Sequence, residues 1–233
     1  MNQENPLNPE NPEDRDRSSD HDSSSPHDGS LDQDNALYEI EEALKEDPQN
    51  QDLLLDVSRI YHRLAMQGNE ASLDMADESV KALLKLNGKH VDALSLSGSL
   101  YTIKARRTTS LFKRIWYSFK AARVLDKAVG LDPKNVSART IRAFTALVLP
   151  RYQKRLGTAV GDFEYLLQVK SDDPDALPDE MMPKVYFNLG FANVKLGNFE
   201  RAREVLSVVI ARFPESRESA RAQSLLHKIG DGS

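Results

Sequence analysis

The sequence predicts an all-α protein built from stacked helical hairpins. Three observations carry this. From residue 35 onward, apolar residues recur at spacings of three and four, with glycine or proline interrupting every 15 to 20 residues. No stretch alternates with period two, as a half-buried strand would. A third signal is a repeat: alanine, apolar residues four and seven later, and a proline or glycine after them, recurring five times.

The chain opens differently. Residues 1–34 contain ten acidic residues, six serines and four prolines, and their only apolar side chains are Met1, Leu7 and Leu31. Such a segment buries too little apolar surface to offset its conformational entropy, so it is expected to be a disordered acidic tail. Residues 35–229 then form the helical domain. Helices are expected at 35–46, 50–67, 71–86, 90–105, 109–130, 135–149, 156–169, 183–196, 199–212 and 215–228.

Each placement rests on particular residues. In 35–46, Ala36, Ile40 and Ala43 line one face, and Pro48 follows. The segment 71–86 repeats the face with Ala76, Val80 and Leu83, and Gly88 stands for the proline. Between these two, 50–67 supplies a partner. Gly98 and Tyr101 mark 90–105, and Ala121, Leu125 and Ala128 mark 109–130 before Pro133. Ala143 marks 135–149. Ala159, Phe163 and Leu166 mark 156–169, with the proline late, at Pro174. Tyr186, Leu189 and Gly190 define 183–196, and a Gly197–Asn198 turn leads into 199–212 with Ala202, Leu206, Val209 and Pro214. The last helix, 215–228, has the polar outer face that a terminal cap needs.

The run from Tyr186 to Pro214 resembles the tetratricopeptide repeat (TPR), a helix–turn–helix unit. Gly190 and Ala202 are expected to let the two backbones approach, and the proline to end the second helix. Asn193 departs from the family, which usually carries an aromatic there. The alanines lie 40, 45, 38 and 43 residues apart, against about 34 for the standard repeat. The largest excess falls between Gly98 and Ala121, where it is expected to lengthen the second helix at its start. The resemblance covers residues 36–214 and implies a right-handed α-solenoid of degenerate, elongated repeats.

Little in the sequence points to chemistry. The chain of 233 residues has no cysteine, which excludes a disulfide scaffold, thiolate metal sites and a cysteine nucleophile, and fits a reducing, cytoplasmic compartment. No apolar run reaches the roughly 18–20 residues of a membrane span. The five histidines are scattered, and no phosphate-binding or metal-ligand spacing occurs. Ser110 and Lys113 form a solitary S-x-x-K without companion motifs. Asp172, Asp173 and Asp175 read as capping carboxylates of a turn. No catalytic residue, metal or cofactor is expected.

Charge is divided. Residues 1–48 carry 15 acids and 3 bases, and residues 49–233 carry 21 acids and 28 bases, so an acidic leader precedes a basic body. Eight basic residues crowd into 104–127, with Asp126 as the one acid. Arg106, Arg107, Lys113, Arg114 and Lys120 form its basic surface. Leu111, Phe112, Ile115, Trp116, Phe119, Ala122, Leu125 and Val129 share a helical face, expected to point into the core. Three uses of the basic side stay open: a solvated back, a dock for an acidic partner such as nucleic acid, or an anionic-membrane contact.

The resemblance further implies a concave face, formed by the first helices of the units, that binds a peptide or helix of another protein. Carried over, it holds Leu55, Arg59, His62 and Arg63 in the first unit, then Asp92, Ser95, Ser99 and Thr102. Thr140, Phe144 and Leu147 follow, and then Lys184, Phe187, Phe191 and Lys195. The carboxylate clamp of one TPR subtype falls on Leu55, Arg59, Leu96, Ser137 and Ile141, of which only Arg59 suits an anion. The expected function is a non-catalytic interaction scaffold, with polyanion binding through 104–127 as the alternative.

Overall fold

The computed structural model describes residues 28–149 and 154–230, with backbone alone over 28–34. The chain divides into two compact units, Met1–Ala36 and Leu37–Ser233. Of the first, only the start of one helix lies in the described part, so the tail expected at 1–34 falls largely outside it.

Among the described residues there are ten α-helices and no strand. They are α1 Asp28–Glu46, α2 Gln51–Met66, α3 Glu70–Leu86, α4 Val91–Arg107 and α5 Leu111–Leu131. Then come α6 Val136–Val148, α7 Leu156–Asp172, α8 Met182–Leu196, α9 Phe199–Arg212 and α10 Arg217–Gly230. One difference from expectation is α1, which begins seven residues earlier than residue 35. A 3-10 turn at Asp179–Met181 leads into α8.

The second unit is four helical hairpins, α2/α3, α4/α5, α6/α7 and α8/α9, with α10 packed on α8 and α9. Each hairpin packs on the first helix of the next one. The repeated alanines explain the pairing. Ala76, Ala121, Ala159 and Ala202 are fully buried on the second helices. Ala36 on α1 is exposed, since no first helix precedes α1 among the described residues.

The small residue of each first helix meets a different neighbour than the sequence suggests. At Gly190 the nearest side chain is that of Leu206. A Cβ at Gly190 would lie 2.6 Å from the side chain of Leu206, and one at Gly98 would lie 2.4 Å from that of Leu125. The glycine is therefore a socket for the leucine four residues beyond the alanine. Ser58 and Ala143 fill the corresponding places, both fully buried. Burying each such leucine or phenylalanine stabilises the stack by about 1.5–3 kcal/mol.

Turns between units follow one rule. Asp47, Asn87, Asp132 and Asp173 each accept a hydrogen bond from the backbone N–H two residues on. This Asx turn ends one helix and re-aims the chain. Asn50, Asn69 and Asn135 cap the next helices by accepting from the third residue beyond. Ser110 does the same for the N–H of Lys113, which accounts for the S-x-x-K pattern. Gly197 sits at φ 82°, the left-handed region that ends α8. Asn193 is buried beside it and donates to the Leu189 carbonyl, while its own Oδ1 accepts from Asn198. The aromatic usual at this place is replaced by an amide that ties down the turn.

The α4/α5 hairpin is the longest. Gly98 and Leu125 are 27 residues apart where Gly190 and Leu206 are 16, so the same contact closes over eleven more residues. α5 has 21 residues and the following α6 only 13. α6 ends abreast of Arg114 and Ser118, where Val148 and Leu149 share a cleft with them.

Candidate ligand-binding groove

The first helices α2, α4 and α6 lie side by side, and their facing residues build a cleft of about 350 Å³. Its apolar part is Met66, Ile103, Ile141, Phe144 and Val148, and its polar part is His62, Ser99, Thr102, Thr140 and Arg106. Phe144 is held edge-on against Phe163 at 5.1 Å, so its exposed edge is fixed. Thr140 Oγ1 is buried and has no hydrogen-bond partner.

His62 Nε2 lies 2.7 Å from Ser99 Oγ, which locks α2 to α4 across the cleft floor. Burial lowers the His62 pKa below its usual 6.5, so the ring is neutral near pH 7. The pair has the spacing of a base and a nucleophile. It lacks the other parts: Ser99 sits mid-helix, where backbone N–H groups are spent on the helix and cannot hold an oxyanion. The arrangement suits a hydrogen-bonded recognition surface.

A ladder runs along the opening ends of the same helices. Arg59 on α2 pairs with Asp56 and, at 2.9 Å, with Asp92 on α4, and Asp92 accepts from the Asn135 amide at 3.3 Å. Arg59 is therefore neutralised by carboxylates. Arg63 is exposed.

Phe191 and Lys195 line a second cleft, of about 470 Å³, with Leu147, Leu149, Leu156 and Leu196 as its apolar walls. Lys195 lies over the Phe191 ring at 5.2 Å. Phe187 does not join them. It is 4 % exposed, with the Arg221 guanidinium of α10 stacked 4.1 Å from its ring. Leu55 and Ser95 are buried as well. All three stand three residues before the small residue, on the side of the first helix that meets the next first helix, so they join the core and leave the groove. The expected set thus divides: His62 and Phe144 share one cleft with Arg106, and Phe191 and Lys195 share the other.

No family model and no curated protein sequence matches the chain. Solved structures do. TTC0263, a thermophilic TPR protein of Thermus thermophilus, superposes with TM-score 0.61 at 19% identity, covering 85% of this chain and 93% of its own. The fold is that of the tetratricopeptide repeat. MamA superposes at 0.53 with 18% identity over 84% of this chain and 94% of its own. A TPR protein from Parabacteroides merdae gives 0.53 at 17%, over 88% of this chain and 75% of its own.

Within this fold the sequence missed an ionic cluster. Asp162 of α7 is 1 % exposed and accepts from Arg139 at 2.8 Å and from Arg142 Nε and Nη2 at 2.7 and 2.8 Å. Asp126 of α5 accepts from Arg142 and from Arg155. Arg139 and Arg142 stand four before and one before Ala143, on the same helix face, and that spacing was the available signal. Among the basic-surface residues, Arg107 donates to the Ala65 carbonyl at 2.9 Å and Arg114 to that of Thr108 at 3.1 Å. Arg106, Lys113 and Lys120 form no ion pair within the described part.

The shared face of α5 is only half core. Ala122, Leu125 and Val129 are buried. Leu111, Phe112, Ile115, Trp116 and Phe119 are 67, 79, 36, 45 and 53 % exposed. The expectation that they point inward is corrected by their exposure: α5 is eight residues longer than α6, and its first turns are left largely open among the described residues.

Proposed function

We propose that this TPR domain is a non-catalytic interaction scaffold that binds a segment of a partner protein across α2, α4 and α6. The observation that carries the reading is the cleft across α2, α4 and α6, where Phe144, Ile141 and Met66 stand beside the His62–Ser99 pair. Apolar walls with a few fixed polar groups are the composition of a recognition cleft. The apolar walls take one aliphatic or aromatic side chain, and Arg106 at the rim favours an acidic neighbour on it.

The test is a peptide library displayed against the full chain. Enriched peptides should bind in isothermal titration, and Thr140→Met, which fills the cleft and removes the hydroxyl, should weaken them at least tenfold with an unchanged circular dichroism spectrum. If no sequence enriches, or Thr140→Met binds equally well, the groove is not the binding site.

A further inference from the structure

We propose that the tip of the α4/α5 hairpin is a contact for an anionic membrane surface. It is independent of the groove. Three observations support it. First, five large apolar side chains stand exposed on the first two and a half turns of α5, led by Phe112 and Leu111. They lie exposed along one stretch of helix and form a ridge. A ridge of this kind fits a deformable apolar medium.

Second, cations border the ridge. Residues 112, 116, 119 and 123 follow each other at spacings of four, three and four, and Lys120 lies four beyond Trp116, so Phe112, Trp116 and Phe119 share one face with Lys120 and Arg123, and Lys113 lies one step aside. Lys113, Lys120 and Arg123 form no ion pair among the described residues, and no acidic residue occurs between Lys104 and Leu125. Apolar area and positive charge together are the two signals that hold a helix at an anionic lipid surface.

Third, Trp116 is held by its neighbours. Tyr101 of α4 stacks on Tyr117 at 6.0 Å and meets Trp116 edge-on at 6.1 Å, and Lys120 lies over the Trp116 ring at 5.1 Å. Trp116 stands between the apolar and basic parts, as indole does at a headgroup boundary. No helix among the described residues is long and apolar enough to cross a membrane, so the contact lies on the surface.

Trp116 is the one tryptophan of the chain, so its emission reports the tip alone. The full chain is titrated with vesicles of phosphatidylcholine and with vesicles of phosphatidylcholine and phosphatidylglycerol at 7:3. The expected result is a blue shift with the anionic vesicles alone, and quenching by brominated acyl chains. Lys113→Glu with Lys120→Glu and Arg123→Glu should reduce binding at least tenfold. Phe112→Ser with Leu111→Ser, both at largely exposed places, should do the same without changing the melting curve. Three outcomes overturn the proposal: no spectral change with anionic vesicles at millimolar lipid, binding without acyl-chain quenching, or equal binding by the charge-reversed variant. Retention of single-stranded DNA with no lipid binding, or self-association through the ridge in sedimentation velocity, also overturns it. Peptide binding in the groove is read separately, and neither result decides the other.

Discussion

Asp162 sets the sharpest stability prediction. Replacing it with alanine leaves Arg139 and Arg142 facing each other across a buried site. Breaking a buried ion pair from one side costs about 3–5 kcal/mol, because the remaining charge has no partner and little water. Here the arginine side chains keep 19 and 16 % exposure, and Arg142 retains Asp126. The expected loss is therefore at the lower end, about 3 kcal/mol. With a urea slope near 3 kcal/mol/M, the midpoint falls by about 1 M. Unfolding is followed by Trp116 emission and by circular dichroism, whose coincidence tests for a single transition. Arg142→Ala should cost less, since Arg139 still neutralises Asp162. The double variant should be less damaging than the sum by about 1–2 kcal/mol. A loss under about 1 kcal/mol for Asp162→Ala, or simple additivity in the double variant, refutes the claim that this cluster acts as a unit.

Two glycine substitutions should move stability in opposite directions in thermal melts. Gly98→Ala forces a Cβ against Leu125 and should destabilise by about 1 kcal/mol after the helix-propensity gain is subtracted, while Gly161→Ala meets nothing within 4 Å and should stabilise by about 0.8 kcal/mol. His62 has a folded pKa below its unfolded value, so the unfolded chain binds the extra proton first. Stability should fall as pH drops below about 6.5, and His62→Gln should remove that part of the loss in chemical denaturation at pH 7 and pH 5.5. Asn193→Ala should cost about 1–3 kcal/mol by leaving the Asn198 amide without its acceptor, measured by urea unfolding.

Much of the fold was legible in the chain because the repeat is periodic. The alanines on α3, α5, α7 and α9 are local signals, and each marks a second helix whatever surrounds it. The elongation of α5 at its start was also readable, from the late position of Ala121. The groove was partly legible: His62 and Phe144 do line it, because a first helix shows the same face in each unit. Phe187 was misplaced because helix spacing alone cannot say where the neighbouring helix lies. α10 covers it, and that is a fact about packing.

The sequence by itself determined the helices, their order, the stacking rule and the concentration of positive charge in 104–127. Helix periodicity and turn chemistry act within a few residues, so they can be read along the chain. Only the tertiary structure decided which apolar residues of α5 are core and which are surface, since the same helical face is buried in its later turns and largely open in its first. It also decided that Gly98 and Gly190 receive leucines, and that Arg139 and Arg142 close on Asp162 twenty-odd residues away. Burial depends on what stands opposite a side chain, and for this protein that is set by the unequal lengths of adjacent helices.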